Sequence, residues 1–149
     1  MTTEWQLTID CADPAPLVRF WSLALGYVPL EPPNGLPTWR AWYLSIGVPE
    51  EELGEGDCTD RLRDPEGRGP NIWFQGVPEA KVVKNRLHLD LKVSGGRSIP
   101  MVTRKERVDV KVAILLAAGA TVSQIGDYPD QDHYFVVMQD PEGNEFCVA

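Results

Sequence analysis

The chain has 149 residues, enough for one domain that buries about two-thirds of the surface its unfolded form exposes, and its 43% hydrophobic and 24% charged content is that of a globular protein. A formal net charge of −8 opposes a phosphate backbone, so nucleic acid is not an expected partner, and no apolar run approaches the roughly 20 residues that a membrane-spanning helix needs. Three cysteines without CxxC spacing exclude a complete disulfide framework, and reduced thiols are expected.

The opening MTTEWQLTIDCAD has no basic stretch followed by an apolar one, which makes the cytoplasm the expected location. Leu7 and Ile9 alternate there with Gln6, Thr8 and Asp10, the pattern of a strand with one buried and one polar face. Asp13 and Pro14 then supply a cap and a first-turn proline for a helix over PLVRFWSLALG. Leu17, Phe20, Trp21 and Leu25 make its apolar stripe, and Gly26 ends it. A short strand follows at YV, and a later one is read in RAWYLSIG. The acidic stretch holding Glu50, Glu51, Glu52, Glu55, Asp57, Asp60 and Asp64, broken by Gly54 and Gly56, is expected to be a solvated loop. Asp-Pro-Glu-Gly at 64 to 67 has the residues of a type I turn, and PNIWFQ is the strand beyond it.

Residues 77–85 are read as a linker, after which the same order of elements returns. In RLHLDLKV, Leu87, Leu89, Leu91 and Val93 alternate with His88, Asp90 and Lys92, again one buried face and one polar. An extra loop is expected near SGGRSIPMVTRK. A helix over VDVKVAILLAAG follows, with Val108, Val112, Leu115 and Leu116 on its stripe and Gly119 at its end. ATV, YFVVMQ and a second Asp-Pro-Glu-Gly at 140 to 143 lead to FCVA. The expected fold class is therefore α+β, a single domain over 1–149 made of two βαβββ repeats, 4–76 and 86–149.

This duplicated unit, with the ending YFVVMQDPEGNEFCVA and the join VPEAKVVKNRLHLDLKV, resembles the vicinal oxygen chelate superfamily, and within it the glyoxalase-like and bleomycin-resistance-like proteins. The resemblance implies a cupped mixed sheet with helices on its outer face, a small molecule in the cup, and a homodimer. It also implies a divalent metal held by the first and last strands of each unit, at positions that here carry Gln6, Gln75, His88 and Cys147. Two of these are neutral amides, whereas hard cations need anionic oxygens to offset the loss of water. Asp10, Asp90 and Glu145 share the inner face by parity, but in another geometry. No metal and no other cofactor are expected.

His88 is one of only two histidines, and as a group that changes charge near neutrality it is a candidate general base or ligand hydrogen-bonder. Asp90, two residues on, shares its side of the strand and is placed to orient it or to pair with a cation. Cys147 is a nucleophile only beside a cation that lowers its pKa; an inert thiol is the plainer expectation. His133 lies among turn signals and is expected at the surface. Trp39, Trp42, Tyr43, Trp73, Phe74, Tyr134 and Phe135 fall on or beside the later strands, where parity divides them between cup and core. The expected lining is Gln6, Trp42, Trp73, Gln75, His88, Asp90, Tyr134 and Cys147, suited to an aromatic or cationic small molecule held without metal, for resistance or sequestration. The alternative is a metal-dependent lyase, isomerase or dioxygenase of the same superfamily.

Overall fold

The computed structural model describes residues 1–149 and resolves into two compact units, Met1–Ala80 and Lys81–Ala149. In the first unit β1 (Gln6–Cys11) leads into α1 (Pro14–Leu25), then β2 (Val28–Pro29), α2 (Trp39–Ser45), β3 (Arg61–Arg63) and β4 (Asn71–Gly76). The sheet order is β1-β4-β3-β2, with β1 and β4 parallel and the other pairs antiparallel. The second unit runs β5 (Asp90–Leu91), α3 (Met101–Ala117), β6 (Thr121–Tyr128), β7 (His133–Gln139) and β8 (Glu145–Val148). Its order is β5-β8-β7-β6, again with the first pair parallel and the rest antiparallel. The repeat seen in the sequence is thus a repeat of topology.

The helix termini follow from local chemistry. Asp13 accepts from the Ala15 amide at 3.1 Å to open α1, and Gly26 takes the left-handed conformation that closes it. Leu17, Phe20, Trp21 and Ala24 of α1 are buried together with Leu62, Ile72 and Phe74 of the sheet, which fixes one sheet face as core. In the second unit Val108, Val112 and Leu115 of α3 play the same part with Leu91, Val136, Met138, Phe146 and Val148. Each such large side chain contributes roughly 1.5–3 kcal/mol through burial.

The two Asp-Pro-Glu-Gly segments form matching turns. Asp64 accepts from the amides of Glu66, Arg68 and Gly69 at 2.9–3.0 Å, and Asp140 accepts from those of Glu142 and Asn144 at 2.9 and 3.0 Å. Gly67 and Gly143 both have positive φ, which explains the glycine at the fourth place.

Four expectations need correction. RAWYLSIG is not a strand: Thr38 accepts from the Ala41 amide at 3.0 Å, and Trp39, Trp42 and Tyr43 recur at helical spacing along α2. The strand that precedes the first turn is instead β3, the Arg-Leu-Arg at the end of the acidic stretch. That stretch is not simply solvated either, because Asp60 is 7% exposed and Glu50 pairs with Arg40 of α2 at 3.0 Å. In the second unit α3 begins at Met101, inside the expected loop, and Leu87 is exposed because the pairing of the β5 segment with β8 starts only at the Leu89 carbonyl.

Candidate functional site

Strand parity leaves each sheet a polar face opposite its helix. In the first unit the parallel register sets Gln6 beside Asn71, Thr8 beside Trp73 and Asp10 beside Gln75, while β3 sets Arg61 beside Trp73. Gln6, Trp73 and Gln75 therefore share one face, as expected from sequence. Trp42 reaches the same neighbourhood by another route, from α2.

The centre of this region is Arg61. Its guanidinium carbon lies 4.2 Å from the Trp39 ring centroid and 4.8 Å from that of Trp73, with the Trp42 and Tyr43 rings at 5.8 and 6.0 Å. Asp60 neutralises it: Arg61 Nη1 donates to Asp60 Oδ1 at 2.8 Å, the Tyr43 hydroxyl donates to Oδ2 at 2.5 Å, and Trp73 Nε1 donates to Oδ2 at 3.0 Å. Burial, reinforced by the bond to Asp60, pushes the Tyr43 phenol above its ordinary range, so it stays a donor. Trp39 adds a bond from Nε1 to the Leu30 carbonyl at 2.7 Å, and α2 is thereby fixed beside β3. Sequence reasoning missed Asp60 and Arg61, hidden in a segment read as loop; the alternation of Arg61 and Arg63 around Leu62 was the available signal.

In the second unit the parallel pairing of Asp90 with Cys147 gathers three expected residues. One ligating atom from each of His88, Asp90 and Cys147 lies within 4.8 Å of the others, and His88 Nε2 is 3.5 Å from Asp90 Oδ1. Burial, then the Asp90 carboxylate, raises the Cys147 pKa, which Lys84 offsets only in part. Cys147 is accordingly a thiol, not an activated nucleophile. His133 is exposed.

Tyr134 is not part of this face. It lies on the core side of β7, in parity with Val136 and Met138, and its hydroxyl donates to Asp109 Oδ1 of α3 at 2.6 Å. Burial and the Asp109 carboxylate push its pKa up to about 12. Glu145 is also committed: it accepts from the Asn85 amide at 2.9 Å and pairs with Lys81 at 3.1 Å, and the Asn85 bond is the main reason its pKa falls to about 2.

These groups fit poorly to the metal that the resemblance implies. The second unit offers one imidazole, one carboxylate and one thiol that a cation would first have to deprotonate. The first unit's positions, Gln6 and Gln75, carry neutral amides, and Glu145 is held by Lys81 and Asn85. A hard divalent ion requires more anionic oxygen than this.

The sequence model of the glyoxalase-like domain family matches residues 6–149. Among curated proteins no sequence match is significant. Solved structures share the fold at low identity. A glyoxalase/bleomycin resistance protein/dioxygenase family enzyme from Burkholderia phytofirmans PsJN is 19% identical with a TM-score of 0.56, covering 96% of this chain and 94% of that one. A glyoxalase/bleomycin resistance protein from Albidiferax ferrireducens T118 is 15% identical with a TM-score of 0.53, at 96% and 93% coverage. The fosfomycin resistance protein FosX from Listeria monocytogenes, in a variant complexed with Mn(II) and 1S,2S-dihydroxypropylphosphonic acid, is 10% identical with a TM-score of 0.58, at 99% and 90% coverage. At these identities the likeness extends to the fold alone, while the match over residues 6–149 fixes the family: the chain belongs to the glyoxalase-like domain family.

Proposed function

We propose that the protein binds a small aromatic molecule without a metal ion, in a sequestering or resistance role. The observation that carries this reading is the polar face of the first sheet, where the half-buried Trp73 ring is flanked by Gln6 and Gln75 and braced by Asp60. An aromatic surface beside a few fixed polar groups is the usual construction of a small-molecule site. Of the two ligand classes expected from sequence, the aromatic one is better supported, because the rings that would receive a cation already hold Arg61. On the second sheet's polar face, His88 and Asp90 form a separate hydrogen-bonding cluster with Cys147 as a neutral neighbour.

Intrinsic tryptophan fluorescence, titrated with neutral, cationic and anionic aromatic compounds, tests the proposal. Saturable quenching that is lost in Trp73→Phe is the expected result; no saturable change with any compound overturns it. Elemental analysis separates this reading from a metal-dependent lyase, isomerase or dioxygenase, which requires a stoichiometric ion. The same proposal includes a cytoplasmic homodimer, supported by the exposed Val82, Val83 and Leu87, and light scattering measures the dimer directly.

A further inference from the structure

We infer that the ligand of the first unit is an aromatic anion of the carboxylate class, its charged end received by Arg63 and its ring by Trp73. This rests on the reading of the polar face as an aromatic-binding surface and goes on to name the ligand's charge.

The argument begins with register. Arg61 pairs with Trp73 and Leu62 with Ile72, so continuing the antiparallel ladder by one residue sets Arg63 opposite Asn71. Asn71 is in turn beside Gln6 on the parallel strand. Arg63, Asn71 and Gln6 thus form a row of hydrogen-bond donors across three strands, and Arg61, Trp73 and Thr8 form the next row. Successive rows on one face are about 6.6 Å apart along the strands, so a two-ring aromatic carboxylate is long enough to reach from one row to the next.

Charge then selects the ligand. The chain has 22 acidic residues against 14 basic ones, yet the half-buried Arg63 forms no ion pair and no side-chain hydrogen bond. Its neighbours do not compete for it. Asp64 is occupied by the amides of its own turn, and Asp60 is neutralised by Arg61. Asp10, the carboxylate on this face, stands beside Gln75, two rows and about 13 Å from the Arg63 row. No buried side-chain polar atom lacks a partner, so the Arg63 donors retain an open approach. A guanidinium that is partly desolvated, unpaired and beside the Asn71 amide, with Gln6 one strand further along the row, matches a planar carboxylate, which it can grip with two parallel bonds. The ring attached to that carboxylate then lies along the face toward Trp73.

The test compares naphthoate, the uncharged naphthamide and the naphthylmethylammonium cation by tryptophan quenching and calorimetry on the intact protein. Naphthoate is expected to bind at least tenfold more tightly than either analogue. Arg63→Gln should remove that preference by bringing naphthoate affinity down to that of naphthamide, and Arg63→Lys should restore only part of it. Thermal melts of both variants verify folding, and Gln6→Ala, at an exposed position, supplies a second, smaller loss specific to naphthoate. Equal affinity for naphthoate and naphthamide, or indifference to Arg63→Gln, overturns the inference while leaving the aromatic site in place. Binding by none of the three overturns both.

Discussion

Trp73 Nε1 donates to Asp60 Oδ2 over 3.0 Å, so the ring at the centre of the first sheet's polar face is oriented by a carboxylate that is only 7% exposed. The same carboxylate holds Arg61 and Tyr43. A single acidic residue therefore joins β3, β4 and α2.

Replacing Asp60 with alanine should consequently be among the most damaging substitutions in the first unit. It strands the Arg61 guanidinium, whose side chain is 16% exposed, and frees the Trp73 and Tyr43 donors. Loss of one member of such a pair costs about 3–5 kcal/mol. Asp60→Asn should cost less, since an amide oxygen still accepts. Urea denaturation followed by tryptophan fluorescence measures both.

Much of the fold was legible because its evidence is local and repeated. The two Asp-Pro-Glu-Gly turns, the Asp13 cap and the stripe through Leu17, Phe20 and Trp21 each act over a few residues, and each forms as expected. The site was less legible because strand parity works only where the strand has been identified. Parity along β1 and β4 brings Gln6, Trp73 and Gln75 to one face, and the pairing of Asp90 with Cys147 gathers His88, Asp90 and Cys147. Trp42 was assigned to a strand since aromatic runs favour sheets, while the cap at Thr38 and the spacing of Trp39, Trp42 and Tyr43 carry the helix. Tyr134 is expected in the cup because it lies on a later strand, whereas Asp109 on α3, 25 residues earlier, takes its hydroxyl on the core side. Arg61 and Arg63 were lost with β3, three residues long and preceded by an acidic run.

Metal removal should change little. Purified protein, dialysed without chelator, is expected to hold no stoichiometric divalent ion, and chelator should leave its melting temperature where it was. His88→Ala should also leave the melting temperature unchanged, since His88 is exposed and its nearest charged partner is 3.5 Å away. A stoichiometric ion lost in His88→Ala would contradict the poor fit of the donor set and restore the metal-dependent reading.

Glu145 gives the second unit an acid-sensitive tether. Its carboxylate is held near pKa 2 by the Asn85 amide and Lys81, below its ordinary value of 4.5. A depressed carboxylate stabilises the folded state above its unfolded pKa, and that contribution is lost as pH falls through the folded one. Wild type should therefore exceed Glu145→Gln in stability at neutral pH, with the gap closing between about pH 4.5 and 2. The protection factor of the Asn85 amide, corrected for the intrinsic pH dependence of exchange, should fall over the same window, because that amide loses its charged acceptor.

At the alkaline end the sign reverses, and the residue that shows it is Tyr134. Burial and the Asp109 carboxylate raise its phenol to about 12, above the 10.0 of an ordinary tyrosine. An acid whose folded pKa is raised stabilises the fold fully below the unfolded value, and the contribution disappears as pH climbs through the folded one. Tyr134→Phe should thus be less stable than wild type at neutral pH by about 1 kcal/mol or somewhat more, the usual worth of a hydrogen bond to a charged group in a partly exposed setting. The difference should vanish between about pH 10 and 12. Phenolate absorbance during alkaline titration should also show one tyrosine of the four ionising last, and that final step should be missing in Tyr134→Phe. A final step that persists in the variant would assign it to another tyrosine and remove the Asp109 bond as the cause.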